Sequence, residues 1–305
     1  MPNWNDLLIE LNSTGSQFDI LRRKYLEGLA KLTGRNTIIY YSGWLDKPNA
    51  PNNLLMINDG DKNGFMSTIH KLDRDNGLDL VLHTPGGELS ATESIVDYLR
   101  QMFDTNIRVI VPQLAMSGGT MIACASKEII MGKQSSLGPI DPQIGGGIPA
   151  HGILEEVREA QEQISRNPNL VNFWAPILQK YSPALIGECR KVIKWATDIS
   201  KEWLRSGMFA GEEADDDIER IIKELTDHAL TLSHSRHLSA KRCSELGLKI
   251  KMMEDDQDLQ DAILSLHHAT MHTFNATPAI KITENHLGKA LVKRHGILEI
   301  PQMKK

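Results

Sequence analysis

Apolar residues follow two rhythms along this chain, and the change from one to the other marks the elements. Up to residue 36 they recur at helical spacing, at Leu7, Leu8 and Leu11 and again at Ile20, Leu21, Tyr25 and Leu29, with charges between and Gly34 closing the stretch. The segment 36–44 (NTIIYYSGW) is β-branched and aromatic and predicts a buried strand. From about residue 54 to 150 the pattern is strand, turn, helix, repeated. Short apolar runs at 78–83 (LDLVLH), 107–111 (IRVIV) and 128–131 (EIIM) predict strands. Between them, 89–103 is amphipathic, with Ile95, Val96, Leu99, Met102 and Phe103 on one stripe, and 117–126 (SGGTMIACAS) reads as a small-residue buried helix. Strands alternating with helices predict a largely parallel sheet covered on both faces. After residue 150 helix dominates, at 152–165, 183–206 and 214–232. An α/β fragment follows at 234–250, then a helix from 259 to about 274. The segment 276–305 reads as a basic, loosely organised tail.

Composition narrows the class. The chain has 305 residues, 41% hydrophobic and 24% charged, which excludes collagen-like and mostly disordered chains. That length allows one large domain or two small ones, at about 150 residues per domain. The formal net charge of −5 lacks the basic surplus of a general nucleic-acid binder, so no nucleic-acid partner is expected. Three widely spaced cysteines form no CxxC pair, which fits a reducing compartment and predicts neither a disulfide framework nor a structural zinc. No run of about eighteen apolar residues and no signal-like leader is visible, so a cytoplasmic location is expected.

Three clusters have the composition of reactive chemistry. In 83–88 (HTPGGE), adjacent glycines at the end of a strand let the backbone turn sharply and uncover amides able to hold an oxyanion; a plain strand-to-helix turn has the same composition. In 115–120 (AMSGGT), Ser117 opens a helix, either as its cap or as a nucleophile with the Gly118 amide beside it. In 135–143 (SSLGPIDPQ), a Gly-Pro turn holds Asp141, which either turns the backbone or serves a partner. Gly86 and Ser117 are separated by about one βαβ crossover. Elsewhere, the acidic run Glu212–Asp217 reads as a helix start complementing the dipole rather than a cation site. His267, His268 and His272 lack the carboxylate of an HExxH motif. No cofactor or metal is expected.

In that order and spacing the three clusters resemble the ClpP/crotonase superfamily, and within it the serine dehydrogenase proteinase family, relatives of signal peptide peptidase A. The resemblance rests on VLHTPGGE at 81–88, AMSGGTMIACASKEIIMG at 115–132 and SSLGPIDPQ at 135–143. The closing segment SRHLSAKRCSELGLKI at 235–250 carries it further. It implies an α/β fold, a spiral of ββα units with additional helices at the N-terminus and after residue 150. The expected organisation is a helical segment at 1–35, a peptidase domain at 36–275 with a helical insertion at about 151–232, and the tail at 276–305. It implies Ser117 as nucleophile, Gly86, Gly87 and Gly118 around the oxyanion, and Asp141 as the acid of a Ser, Asp, His triad.

The base stays open between several groups. A ClpP-type histidine is absent, since no histidine lies between Thr84 and Ala150. His234 is the first choice because it borders the matching C-terminal segment, with His151, His228 and His237 as competitors. A lysine, as in signal peptide peptidases, is the other possibility. The expected activity is ATP-independent serine endopeptidase action on peptides or unfolded protein by a homo-oligomer, with a membrane-protein or chaperone partner left open. The rival readings are a crotonase-like acyl-CoA enzyme, which would not need Ser117, and a non-catalytic peptidase-like scaffold.

Overall fold

A computed structural model describes residues 18–144, 147–226 and 236–296. Its centre is a seven-stranded sheet in the order β10-β5-β3-β2-β1-β11-β12. The five strands β1 (Asn36–Ser42), β2 (Leu78–His83), β3 (Ile107–Val111), β5 (Glu128–Met131) and β10 (Ile250–Met252) run parallel. Next to β1 the sheet changes direction: β11 (Ala279–Asn285) is antiparallel to it, and β12 (Ala290–Arg294) antiparallel to β11.

Side-chain alternation along the strands sends neighbours to opposite cores, which is why the strand runs are mainly apolar; where charge enters β2 and β3, Asp79 and Arg108 pair at 2.7 Å. Ile38, Tyr40, Leu80 and Leu82 face one side. There they meet α2 (Lys62–Ile69), α3 (Leu89–Phe103) and α4 (Gly118–Cys124). Ile39, Tyr41, Val81 and Ile110 face the other side. They meet α1 (Phe18–Thr33) and α10 (Gln257–Ala276). Helix α1 therefore shares the core of the sheet.

The helices after residue 150 divide between two cores. The end of α7 (Leu185–Trp203), at Ala196, Ile199 and Trp203, joins the main core, as does α8 (Asp215–Thr226). The start of α7, at Cys189, packs instead on α5 (Ala150–Arg166) through Ala150 and Ile153, and α6 (Val171–Leu178) lies between these helices in the chain. The acidic residues at the start of α8 lie beside cations: Asp215 pairs with Arg205, Asp217 with Arg220, and Glu212 with Lys249.

One expectation fails here. Residues 279–294 are two sheet strands rather than part of a loose tail. All seven residues of β11 are buried. Its charges are buried with distant partners: Glu284 accepts from Arg22 and Arg23 Nε, both at 2.6 Å, and Lys281 donates to Asp61 at 2.8 Å. A local pattern of alternating charge looks solvent-exposed until those partners are known.

A second, three-stranded sheet builds the site. It joins β4 (Leu114–Ala115), β6 (Ser136–Leu137) and β9 (Leu238–Ser239), with β4 parallel and β9 antiparallel to β6. β4 delivers Ser117, and β6 leads to Asp141.

Candidate active site

Two loops leave the C-terminal ends of β2 and β4 and are laced together. Thr84 N–H donates to Leu114 O at 3.2 Å and Met116 N–H donates to Thr84 O at 3.0 Å. Gly86 then turns at φ +91°, and a side-chain carbon there would lie 2.7 Å from Ser117 Cβ and from Met116 O. Only glycine permits that approach.

Ser117 stands between β4 and α4 at φ +50°, ψ −111°, a conformation that a residue with a side chain adopts at a cost of order 1–3 kcal/mol. Its hydroxyl makes no capping bond to α4, so the cap reading of this serine does not hold. The side chain lines a cleft of about 230 Å³ together with Gly87, Gly118 and Asp141. The apolar wall of that cleft includes Met56, Leu89, Met121, Ile140 and Val192.

The loop carrying Gly87 is splinted by Ile57. Ile57 N–H donates to Gly86 O at 2.8 Å, and Ile57 O accepts from Glu88 N–H at 2.9 Å. Both backbone groups flanking Gly87 are thereby used, while its own N–H donates to nothing among the described residues. The Gly118 N–H is equally unspent, as the first amide of a helix has no intrahelical acceptor. Gly87 N lies 3.4 Å from the point where a Gly118 Cβ would stand. Gly86 differs from the expectation: its amide donates to Thr84 Oγ1 at 3.2 Å, which leaves Gly87 and Gly118 as the two available donors.

Asp141 is buried at 3% exposure and is gripped from both sides. Ile140 N–H donates to Leu225 O at 2.8 Å, and Pro142 O accepts from Ala150 N–H at 2.9 Å. The turn before it is tied to α4 by Thr120, whose hydroxyl donates to Gly138 O at 2.8 Å and accepts from Gly138 N–H at 3.1 Å. One hydroxyl thus fixes the spacing between the serine helix and the aspartate turn.

The imidazoles lie elsewhere. His234 and His228 fall outside the described residues. His151 is partly buried in the first turn of α5, and His237 is exposed just before β9. Among the described residues no histidine and no lysine lines the cleft. His83, at the end of β2, is fully buried and stacks on Tyr41 with ring centroids 5.3 Å apart. Burial pushes it down to about 4, opposed by its hydrogen bonds with Ser42 O and the Gln113 side chain.

Ile57, Met56 and Thr84 were not marked by sequence reasoning. Thr84 sits inside a recognised motif, but Ile57 lies in an ordinary apolar run, and only its pairing with Gly87 gives it meaning.

A mostly parallel sheet with a serine at a strand-to-helix turn, facing a Gly-Gly loop, defines a ClpP-like fold. The profile described as "ClpP-like SDH-type serine proteinase" matches residues 52–273, and the chain belongs to that family. Two relatives are uncharacterized proteins of Methanocaldococcus jannaschii. MJ1495 is 33% identical over 190 residues, 62% of this chain and 57% of its own length. MJ0137 is 30% identical over 190 residues, 62% and 59% of the respective lengths. The chain thus spans less than three-fifths of the length of each relative. A mutant of the 1510-N membrane-bound stomatin-specific protease is a solved structure similar to this one. Its TM-score is 0.41 at 18% identity, covering 68% of this chain and 79% of that one. Among the described residues no helix is long and apolar enough to cross a membrane.

Proposed function

We propose that this chain is a serine endopeptidase that cleaves peptide bonds through an acyl-enzyme on Ser117. The observation that carries the reading is the meeting of a strained, uncapped serine with two unspent amides in one cleft. Strain of this kind persists where the surroundings impose it, and it concentrates at reactive groups.

Ser117 Oγ attacks the substrate carbonyl and loses its proton to a base. The carbonyl oxygen, now negative, enters the space between the Gly87 and Gly118 amides, donors worth roughly 3 kcal/mol each to the transition state. The amine leaves after protonation, and water resolves the ester. Asp141 takes the acid position, orienting the base and stabilising its charged form. For that base the choice remains His234. The substrate in this reading is a peptide or unfolded segment, laid beside Ser117 in the cleft. ATP-independent action, a homo-oligomeric assembly and a cytoplasmic setting complete the reading. The buried, unpaired Cys124, Cys189 and Cys243 are compatible with that setting.

The rival crotonase-like reading would use the same amides but leaves the strained serine without a role. Ser117→Ala is assayed on fluorogenic peptides and unfolded protein, beside labelling with a fluorophosphonate. Hydrolysis falls on the order of 10⁴-fold or more and labelling disappears. Undiminished hydrolysis removes Ser117 from the mechanism, and a thermal shift with acyl-CoA esters but not with peptides transfers the site to the rival.

A further inference from the structure

The splint that holds Gly87 is itself held by a buried charge pair from the far end of the chain. Lys281, on β11, donates to Met56 O at 2.6 Å and to Asp61 Oδ2 at 2.8 Å. Asp61 Oδ2 in turn accepts from Asn58 N–H at 3.0 Å and from Tyr40 OH at 2.7 Å. The side chains of Lys281 and Asp61 are 2% and 1% exposed. The pair therefore grips the carbonyl before Ile57 and the amide after it. Ile57 between them fixes both peptide groups flanking Gly87. Lys293 reaches the same carboxylate at 2.7 Å from a more exposed position and does not touch Met56 O.

An ordinary role in stability would require only that the two charges be paired. Here the ammonium also spends a short bond on a backbone carbonyl of the segment that meets the cleft, and Met56 lines that cleft. Misplacing a group at a reacting centre by about 1 Å costs on the order of 100-fold in rate, so a splint with two unsecured ends would be felt in turnover. Lys281 lies beyond residues 52–273, where the family match ends.

We infer that Lys281, paired with Asp61, is a positioning residue for the Gly87 amide, an inference that rests on the serine-peptidase reading. It acts through Met56 and Ile57 and touches no substrate.

The test compares Lys281→Met, alone and combined with Asp61→Asn, with the full-length wild type. The combined variant strands no buried carboxylate, so it is the one to read where the single variant does not fold. Measured are kcat and KM on a fluorogenic peptide and the inhibition constant of a peptide aldehyde, whose tetrahedral adduct needs the same two amides. With the amide misplaced, kcat falls about 100-fold, aldehyde affinity falls in step, and KM stays within about twofold. Lys293→Met lowers the melting temperature and leaves kcat within about twofold. A folded Lys281 variant with wild-type kcat overturns the inference. So does one whose KM and aldehyde affinity weaken equally, and so does failure of both variants to fold, because architecture alone then explains the residue. Ser117→Ala run in parallel separates the two ideas: if it is inactive while Lys281→Met is unimpaired, only the positioning role is lost. If Ser117→Ala is active, the serine reading itself is wrong.

Discussion

A side-chain carbon on Gly87 would sit 2.3 Å from both the backbone nitrogen and the backbone oxygen of Ile57. The obstacle is main chain, which cannot rotate away as a side chain does. Gly87→Ala therefore pushes the loop off its splint. Overpacking of this kind costs roughly 1–3 kcal/mol, and it displaces the amide that the proposed mechanism uses. The expected outcome is a lower denaturant midpoint together with loss of fluorophosphonate labelling. A variant as stable and as quickly labelled as the wild type would mean that the two segments are not pressed together.

The backbone at Ser117 offers a separate test of stored strain. Ser117→Ala and Ser117→Gly both lack the nucleophile, but only glycine is at ease at φ +50°. The glycine variant is expected to be more stable than the alanine variant by about 1 kcal/mol, seen in paired thermal melts. Equal melting temperatures, or a lower one for glycine, would show that no strain is held there.

Acid is expected to weaken the protein through His83. Its imidazole is held neutral in the fold, down to about 4 from an ordinary 6.5. Between those values the unfolded chain binds the proton and the folded one does not, so stability is full above about pH 6.5 and declines as pH falls toward 4. The linkage for this one group is roughly 3 kcal/mol. His267, 5.5 Å away and also pushed down by burial, acts in the same direction. Urea midpoints measured from pH 7.5 to 4.5 test this, with His83→Gln expected to give a shallower decline. Parallel profiles for the two proteins would assign the acid sensitivity elsewhere.

Glu284 is the test of the strand pair at 279–294. Its buried carboxylate accepts from Arg22 and Arg23, and the Arg22 side chain is wholly buried with it. Glu284→Gln leaves Arg22 with Asp19, at 2.8 Å, as its remaining carboxylate partner, and costs roughly 1–3 kcal/mol, whereas replacing Arg22 and Glu284 together by methionine restores much of the loss. A near-zero effect of Glu284→Gln would contradict a structural role for β11's charges.

Strands β1, β2 and β3 were legible because they are buried on both faces and so appear as mainly apolar runs, as in 78–83 and 107–111, where the charges that intervene, Asp79 and Arg108, pair with each other. The loops at Gly86 and Ser117 were legible because close backbone approach demands glycine at particular spacings. What escaped was whatever depends on partners far along the chain. Lys281 and Glu284 resemble solvated charges until Asp61 and Arg22 are placed beside them, 220 and 262 residues away. Gly86 and Gly87 are identical in sequence, yet the hydroxyl of Thr84 takes the amide of one and leaves that of the other. Helix α2 was missed for a related reason: KNGFMSTI buries only Gly64, Phe65, Thr68 and Ile69, too short a stripe to set a period.

The sheet order places β11 directly against β1, although the two are separated by most of the chain. During synthesis, every parallel strand leaves the ribosome before the strand that borders β1 exists. Until residues 279–294 emerge, that flank is an open row of donors and acceptors, and the carbonyl of Met56 has no ammonium to meet. With Lys281 in the positioning role inferred above, completion of the sheet and organisation of the cleft coincide.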